Sequence, residues 1–223
     1  RRLERLDSAE IAQQCALAAT ALGRPTAAHG GPPPGGDARN LVSDIVVHLR
    51  DRALKTSDSA AWLGLEYLDH RMMSQVVPVG YDLYNGSLGI ALFLAAAAKV
   101  RGDGDAHDLA GGALAPVTAA MLSINRARLP RTLGLGGFLG IGSIIYGLAT
   151  VAELLESHGS TLEAAYCAAK LMTPHEVDTD DRLDLVSGSA GAILGLLKLH
   201  RLTGDRDLVE LASSVGERML LRH

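Results

Sequence analysis

The sequence is short of cysteine, aromatics and net charge. Cys15 and Cys167 are its only cysteines, and no pairing pattern links them. That excludes a disulfide-stapled scaffold and fits a cytoplasmic protein. Each cysteine reads as a small buried residue on a helix. Aromatics make up 4% against 48% hydrophobic residues overall, so the core must be built from Ala, Leu, Ile and Val. Ala and Leu favour helix over sheet. A net charge of −4 gives no electrostatic case for a nucleic-acid partner. Lysine is scarce beside arginine, being confined to Lys55, Lys99, Lys170 and Lys198, which reads as genome bias and not as a site. Apolar runs such as "IALFLAAAA" from Ile90 are too short to span a bilayer. The opening "RRLERLDSAEIAQQ" has no apolar stretch of the kind a signal peptide needs. There is no G-x-S-x-G, no Walker loop and no dinucleotide fingerprint. "GLGGFLG" from Gly134 lacks the preceding strand a phosphate loop requires.

What is present divides the chain. Ser8 can cap a helix over 8–22, with Ile11, Cys15, Ala18 and Leu22 on one face. "GRPTAAHGGPPPGGD", Gly23 to Asp37, has no apolar periodicity and reads as a linker. The boundary is therefore set at 1–37, an upstream helix and linker, and 38–223, the main domain. A second helix, "NLVSDIVVHLRDRAL", offers a stripe of Leu41, Ile45, Val46, Leu49 and Ala53. The segment 57–79 favours neither period and predicts irregular structure or short strands.

The rest repeats itself. "NGSLGIALFLAA" at Asn85, "LGIGSIIYGLAT" at Leu139 and "SGSAGAILGLLK" at Ser187 align without a gap when Gly86, Gly140 and Gly188 are put in register. Three residues on stand Gly89, Ser143 and Gly191, all small. The spacing is 54 residues and then 48, the period of a repeat architecture. The repeats occupy about 82–126, 137–173 and 184–222. Each reads as two helices. The first is apolar nearly all round and should be buried on every side. The second is amphipathic, over about 107–124, 161–172 and 205–221, and should lie outside. The fold class is all-α. Buried and surface helices alternating in this way suggest a curved stack of hairpins that can close into an α/α toroid with inner and outer rings.

Three stretches in order carry a resemblance: "DLYNGSLGIALFLA" at Asp82, "GFLGIGSIIYGLATVAELL" at Gly137 and "DLVSGSAGAILGLLKLHRLTGD" at Asp184. Together they resemble the lanthionine synthetase C-like cyclases. "RLDSAEIAQQCALAATAL" and "AAWLGLEYL" look like the region that joins dehydratase and cyclase in two-function, type II lanthipeptide synthetases. The resemblance implies an α/α toroid in a bacterial cytoplasmic enzyme. Its substrate would be a precursor peptide, in which Cys thiols add across dehydrated Ser or Thr to close thioether rings. It also implies a zinc ion, held by two Cys and one His in later repeats, that favours the thiolate. Cys15 and Cys167 do not match those motifs, and no Cys-His pair exists here. The metal ligands found in this chain are therefore none. The expectation is the N-terminal half of a cyclase domain, roughly half a ring. Alone it would be inactive, and its partners would be the remaining half and an upstream dehydratase.

Asp184 is the position onto which the family's functional acid carries, as proton donor or acceptor or as an orienting group. An acid before a helix also favours the positive end of the helix dipole and can bond turn amides. Asp82 stands in the same register, four residues before Gly86, so capping remains open as the first duty of both. Gly86, Gly89, Gly140, Ser143, Gly188 and Gly191 are assigned to architecture. "HEVDTDD", 175–181, could suit a hard cation but reads as a solvated acidic connector. The histidines, His48, His70, His107, His158 and His200 among them, show no ligand spacing. Tyr84 and Tyr146 lie near the repeat turns, where they could line a cavity or simply pack. Two other classes stay open. One is a non-catalytic helical-repeat module that binds a peptide. The other is an unrelated α/α-toroid glycoside hydrolase, which would need two facing carboxylates.

Overall fold

A computed structural model describes Cys15, residues 38–68 and residues 73–221. The helix expected over 8–22 and the linker over 23–37 lie outside these, apart from Cys15. The chain divides into two compact units, Val46–Trp62 with Val79–His223, and Arg1–Ile45 with Leu63–Pro78.

In order, the elements are α1 (Ala38–Arg52), β1 (Leu54–Lys55), β2 (Ala60–Ala61), β3 (Leu63–Leu68), β4 (Met73–Pro78), α2 (Ser87–Arg101), α3 (Gly104–Leu122) and a 3-10 turn (Arg126–Arg128). They continue with α4 (Leu129–Leu133), α5 (Ile141–Leu155), α6 (Gly159–Ala169), α7 (Pro174–Asp178), α8 (Ser189–Thr203) and α9 (Asp207–Leu220). The chain is mostly helical, with few short strands. β3 and β4 pair antiparallel, Leu63 opposite Pro78 through Leu68 opposite Met73, so the segment that favoured neither period does hold short strands. Within the larger unit, β1 and β2 form a small hairpin closed by Thr56 and Ser59. The Trp62 indole is buried and donates to the Leu49 carbonyl at 2.9 Å, tying the end of α1 to this hairpin. The apolar stripe expected on α1 is only partly used. Val46 is buried, whereas Leu41 and Ile45 are exposed.

The larger unit is a stack of hairpins. α2, α5 and α8 pack side by side in chain order. Each carries its outer partner, α3, α6 or α9, and α3 also packs on α6. All three inner helices are 15 residues long and begin one residue after the aligned glycine. Small residues set this spacing. A Cβ on Gly142 would lie 2.8 Å from the Ala192 Cα, and one on Gly195 would meet the Gly142 backbone. The α5–α8 crossing is therefore backbone against backbone. The expectation of inner helices buried on every side is met most nearly by α5, where Ile141, Ile144, Ile145, Leu148 and Val151 are fully enclosed but Tyr146 and Glu153 are exposed. α2 and α8 each have one inner neighbour, and Val100, Leu194 and Leu197 are left exposed.

The cysteines also depart from expectation. Cys15 is exposed, and Cys167, on α6, is half-buried. Among the described residues no helix is long and apolar enough to cross a membrane.

Candidate functional site

The three inner helices start from three turns of related construction. A glycine needs room upstream in each. A Cβ on Gly86 would lie 2.5 Å from the Asp82 backbone nitrogen, one on Gly140 2.5 Å from that of Gly136, and one on Gly188 2.5 Å from that of Asp184. The residue four positions before each glycine thus folds back over it. Gly140 adds a φ of 131°, open only to glycine. The first helical residue then bonds upstream. Ser87 N donates to the Gly80 carbonyl at 2.8 Å, and Ile141 N donates to the Gly134 carbonyl at 3.0 Å. In the third turn a carboxylate replaces the carbonyl. Asp180 Oδ2 accepts from Ser189 N at 2.7 Å and from the Ser189 hydroxyl.

The turns are stitched together by their backbones. Tyr84 N donates to the Phe138 carbonyl at 3.3 Å, Gly137 N to the Leu185 carbonyl at 3.0 Å, and Phe138 N to the Val186 carbonyl at 3.1 Å. This row lines up the sequence-predicted residues at one end of the inner helices. Asp82 lies in the first turn and Asp184 in the third, with the acid-free second turn between them.

The two acids do the same local work. Asp82 Oδ1 accepts from Tyr84 N at 3.0 Å and from Asn85 N at 2.9 Å. Asp184 Oδ1 accepts from Val186 N at 2.6 Å and from Ser187 N at 2.9 Å. Each closes its own turn through amides two and three residues ahead. Their surroundings differ. Asp82 is 7% exposed, whereas Asp184 is open to solvent. The Ser187 amide, seconded by that of Val186, holds the Asp184 carboxyl below its ordinary range against a partial desolvation. The group is therefore an anion at neutral pH. Leu183, just before it, sits at φ 50°, a conformation costly for a branched side chain.

Two expected results follow. Asp82→Ala leaves the Asn85 amide without its acceptor and the Tyr84 amide with only its longer bond to the Phe138 carbonyl; it costs about 1–3 kcal/mol, read as a lower urea midpoint. For Asp184 the sign comes from its lowered folded value. Its contribution is present above the unfolded value and lost as pH falls through the folded one. The urea midpoint of the native chain should therefore drop below about pH 4, and Asp184→Asn should remove part of that drop. Equal pH profiles for the two chains would refute this.

The acidic run 175–181 is organised and not merely solvated. Asp178 pairs with Arg218 at 2.6 Å, and Asp180 anchors the start of α8. Asp180 escaped sequence reasoning because its counterparts, Gly80 and Gly134, use a backbone carbonyl. The faint signal was an acid standing nine residues before a helix-starting serine.

No cluster of three or more His, Cys, Asp or Glu among the described residues could hold a metal. Cys167 is half-buried on an outer helix and His200 is occupied by the Asp205 carbonyl at 2.7 Å. The donor set of the zinc that the resemblance implies is not assembled by these residues. Two surface cavities, of about 390 and 360 Å³, lie by the β1–β2 turn and by the C-terminal ends of α2 and α5; neither is lined by Asp82, Asp184 or the turn glycines.

The model of the lanthionine synthetase C-like protein family matches residues 77–222, which take in all three turns and all three hairpins. This chain belongs to the lanthionine synthetase C-like family. No curated protein gives a significant match. Within a lanthionine synthetase C-like chain the stitched turns are the repeated element, and Asp184 is its solvent-exposed carboxylate.

Proposed function

We propose that this chain is part of a lanthipeptide synthetase cyclase, which closes thioether rings by adding Cys thiols of a precursor peptide across dehydrated Ser or Thr. The observation that carries the reading is the pairing of the family match with an exposed, amide-held carboxylate at Asp184. Held as an anion, Asp184 suits a proton acceptor or an orienting charge better than a proton donor. Zinc, where the family's activity uses it, would need donors beyond the described residues. The rest of the cyclase domain and an upstream dehydratase are the proposed partners, and the bacterial cytoplasm the proposed setting.

The test gives a dehydrated, Cys-containing peptide to the polypeptide that carries this chain and alkylates the remaining thiols. Each ring removes one alkylatable thiol without changing peptide mass. Asp184→Asn should slow ring closure by roughly 10²-fold while the fold persists by circular dichroism. Unchanged kinetics would confine Asp184 to its turn.

A second reading, a non-catalytic peptide-binding module, is favoured by one observation. Tyr84, Phe138 and Val186 each stand two residues before an aligned glycine, all are exposed, and backbone bonds join them in a row. Under that reading Phe138→Ala weakens capture of the dehydrated peptide and Asp184→Asn does not, and no rings form under any condition.

A further inference from the structure

The third turn is built like the first, except upstream of its acid. In the first turn the Gly80 carbonyl, six residues before the turn glycine, accepts two bonds from Ser87. The Ser87 amide donates at 2.8 Å and its hydroxyl at 3.2 Å. In the second turn the Gly134 carbonyl, also six residues before its glycine, accepts from Ile141 N. The equivalent carbonyl of the third turn is that of Arg182. It is turned back on its own chain and accepts from Asp184 N at 2.6 Å. Asp180 Oδ2 stands in for it, taking both the amide and the hydroxyl of Ser189, the counterpart of Ser87. Asp180 Oδ1 accepts from Arg182 N at 3.3 Å. One carboxylate thus holds both ends of the segment that carries Asp184.

The exchange changes that segment. Seven residues separate donor and acceptor in the first two turns, and nine in the third. Gly86 is bridged to Gly80 and Gly140 to Leu135, whereas Gly188 has no such bridge among the described residues. Leu183, inside the lengthened segment, takes the left-handed φ of 50° that no residue before Asp82 adopts among those described. Strain of this kind persists only where the surroundings impose it. From the acid onward the turns agree. A Cβ on Gly89 would meet the Leu83 carbonyl and one on Gly191 the Leu185 carbonyl. Both acids bond the amides two and three residues ahead. Yet Asp82 is enclosed and Asp184 stands open.

We propose that Asp180 is the residue that sets Asp184 apart from Asp82. By bridging Arg182 N and the start of α8, it holds the lengthened segment so that the Asp184 carboxylate meets solvent and still keeps its two amide bonds. Asp180 is a positioning residue, because it acts on the reaction only through Asp184. This rests on the reading of Asp184 as a proton acceptor or orienting charge in thioether closure.

The experiment follows the Asp184 carboxyl by carbon-13 NMR in the aspartate-labelled chain, with Asp184→Asn assigning the signal. In Asp180→Ala the carboxyl should titrate higher, toward the ordinary aspartate range, because the Val186 and Ser187 amides are no longer held to it. The sign is specific. Loss of a neighbouring anion alone would lower the value, and Arg182, whose charge also lowers it, is untouched. Asp180→Asn keeps an oxygen that accepts from Ser189 and should leave the titration native or lower. Ring closure gives a second readout. Asp180→Ala should lower kcat roughly 10–100-fold with KM unchanged, and Asp180→Asn should recover most of it. In an Asp184→Asn background, Asp180→Ala should cost less than about 2-fold more.

An unshifted or lowered Asp184 titration in Asp180→Ala, or losses that multiply in the double variant, would overturn the proposal. So would an Asp180→Asn chain as impaired as Asp180→Ala, which would give the charge of Asp180 a part of its own. If Asp180→Ala does not fold by circular dichroism, Ser189→Ala takes its place. It removes one of the bonds that Asp180 accepts and should raise the Asp184 titration by a smaller step; an unchanged value overturns the proposal equally. The titrations involve no thioether. A chain that closes no rings leaves them decisive, and a failed titration leaves the ring assay to judge the function by itself.

Discussion

Gly191→Ala is expected to cost about 3 kcal/mol and to lower the unfolding midpoint by roughly 6–12 °C. A Cβ on Gly191 would fall 2.6 Å from the Gly137 Cα and closer still to the Gly137 nitrogen and the Leu185 carbonyl. All three are backbone atoms, so no side chain can rotate away. The Gly137 nitrogen is also the donor to Leu185 that stitches the second turn to the third. The methyl group must therefore push apart α8 and the turn before α5, and with them the row that holds Asp184. Gly104→Ala is the control. Gly104 is the first residue of α3 and has open space where its Cβ would stand. There the substitution should be neutral or stabilise by about 0.4–1 kcal/mol, because it only reduces the freedom of the unfolded chain. Thermal unfolding followed at 222 nm reads both. A midpoint for Gly191→Ala equal to that of the control would mean that the turns can separate freely, and the close-packing account would fail.

Leu148→Ala has an expected effect of similar size, about 2–5 kcal/mol. Leu148 is fully buried in the middle of α5, the inner helix with neighbours on both sides and an outer partner. Its surroundings include Ile144, Ile145 and Val151, rigid branched side chains that collapse poorly into a void. Leu194→Ala is the matched control on α8, where Leu194 is 46% exposed and the same truncation should be nearly neutral. Urea titration distinguishes a change of midpoint from a change of slope. A small loss at Leu148, or a large one at Leu194, would mean that burial is not shared out as the hairpin stack requires.

Much of this was legible in the chain before it folded. The three inner helices begin where Gly86, Gly140 and Gly188 predicted, because a repeated turn must place its glycine wherever the backbone folds back upon itself. The outer helices fall within a few residues of their expected spans, because amphipathic periodicity survives at a surface. Asp184 and Asp82 were seen as equivalents, and their identical amide bonds bear that out.

Other features could not be read this way. Lys99 and Glu156 are 57 residues apart, and Glu153 and Lys198 are 45 apart. No local period connects such pairs; the rotation of one helix against the next selects them. The solvation of the two acids is of the same kind. Sequence alone fixed the repeat, the turn glycines and an acid at the same position in the first and third turns, since these follow from backbone sterics and short-range hydrogen bonding. Only the tertiary structure decided that Asp82 is enclosed while Asp184 stands open. It also decided that α5 is flanked by inner helices on both sides while α8 leaves Leu194 and Leu197 exposed. Burial and pairing depend on which surfaces a neighbouring hairpin covers, and that is a property of the stack and not of any one segment.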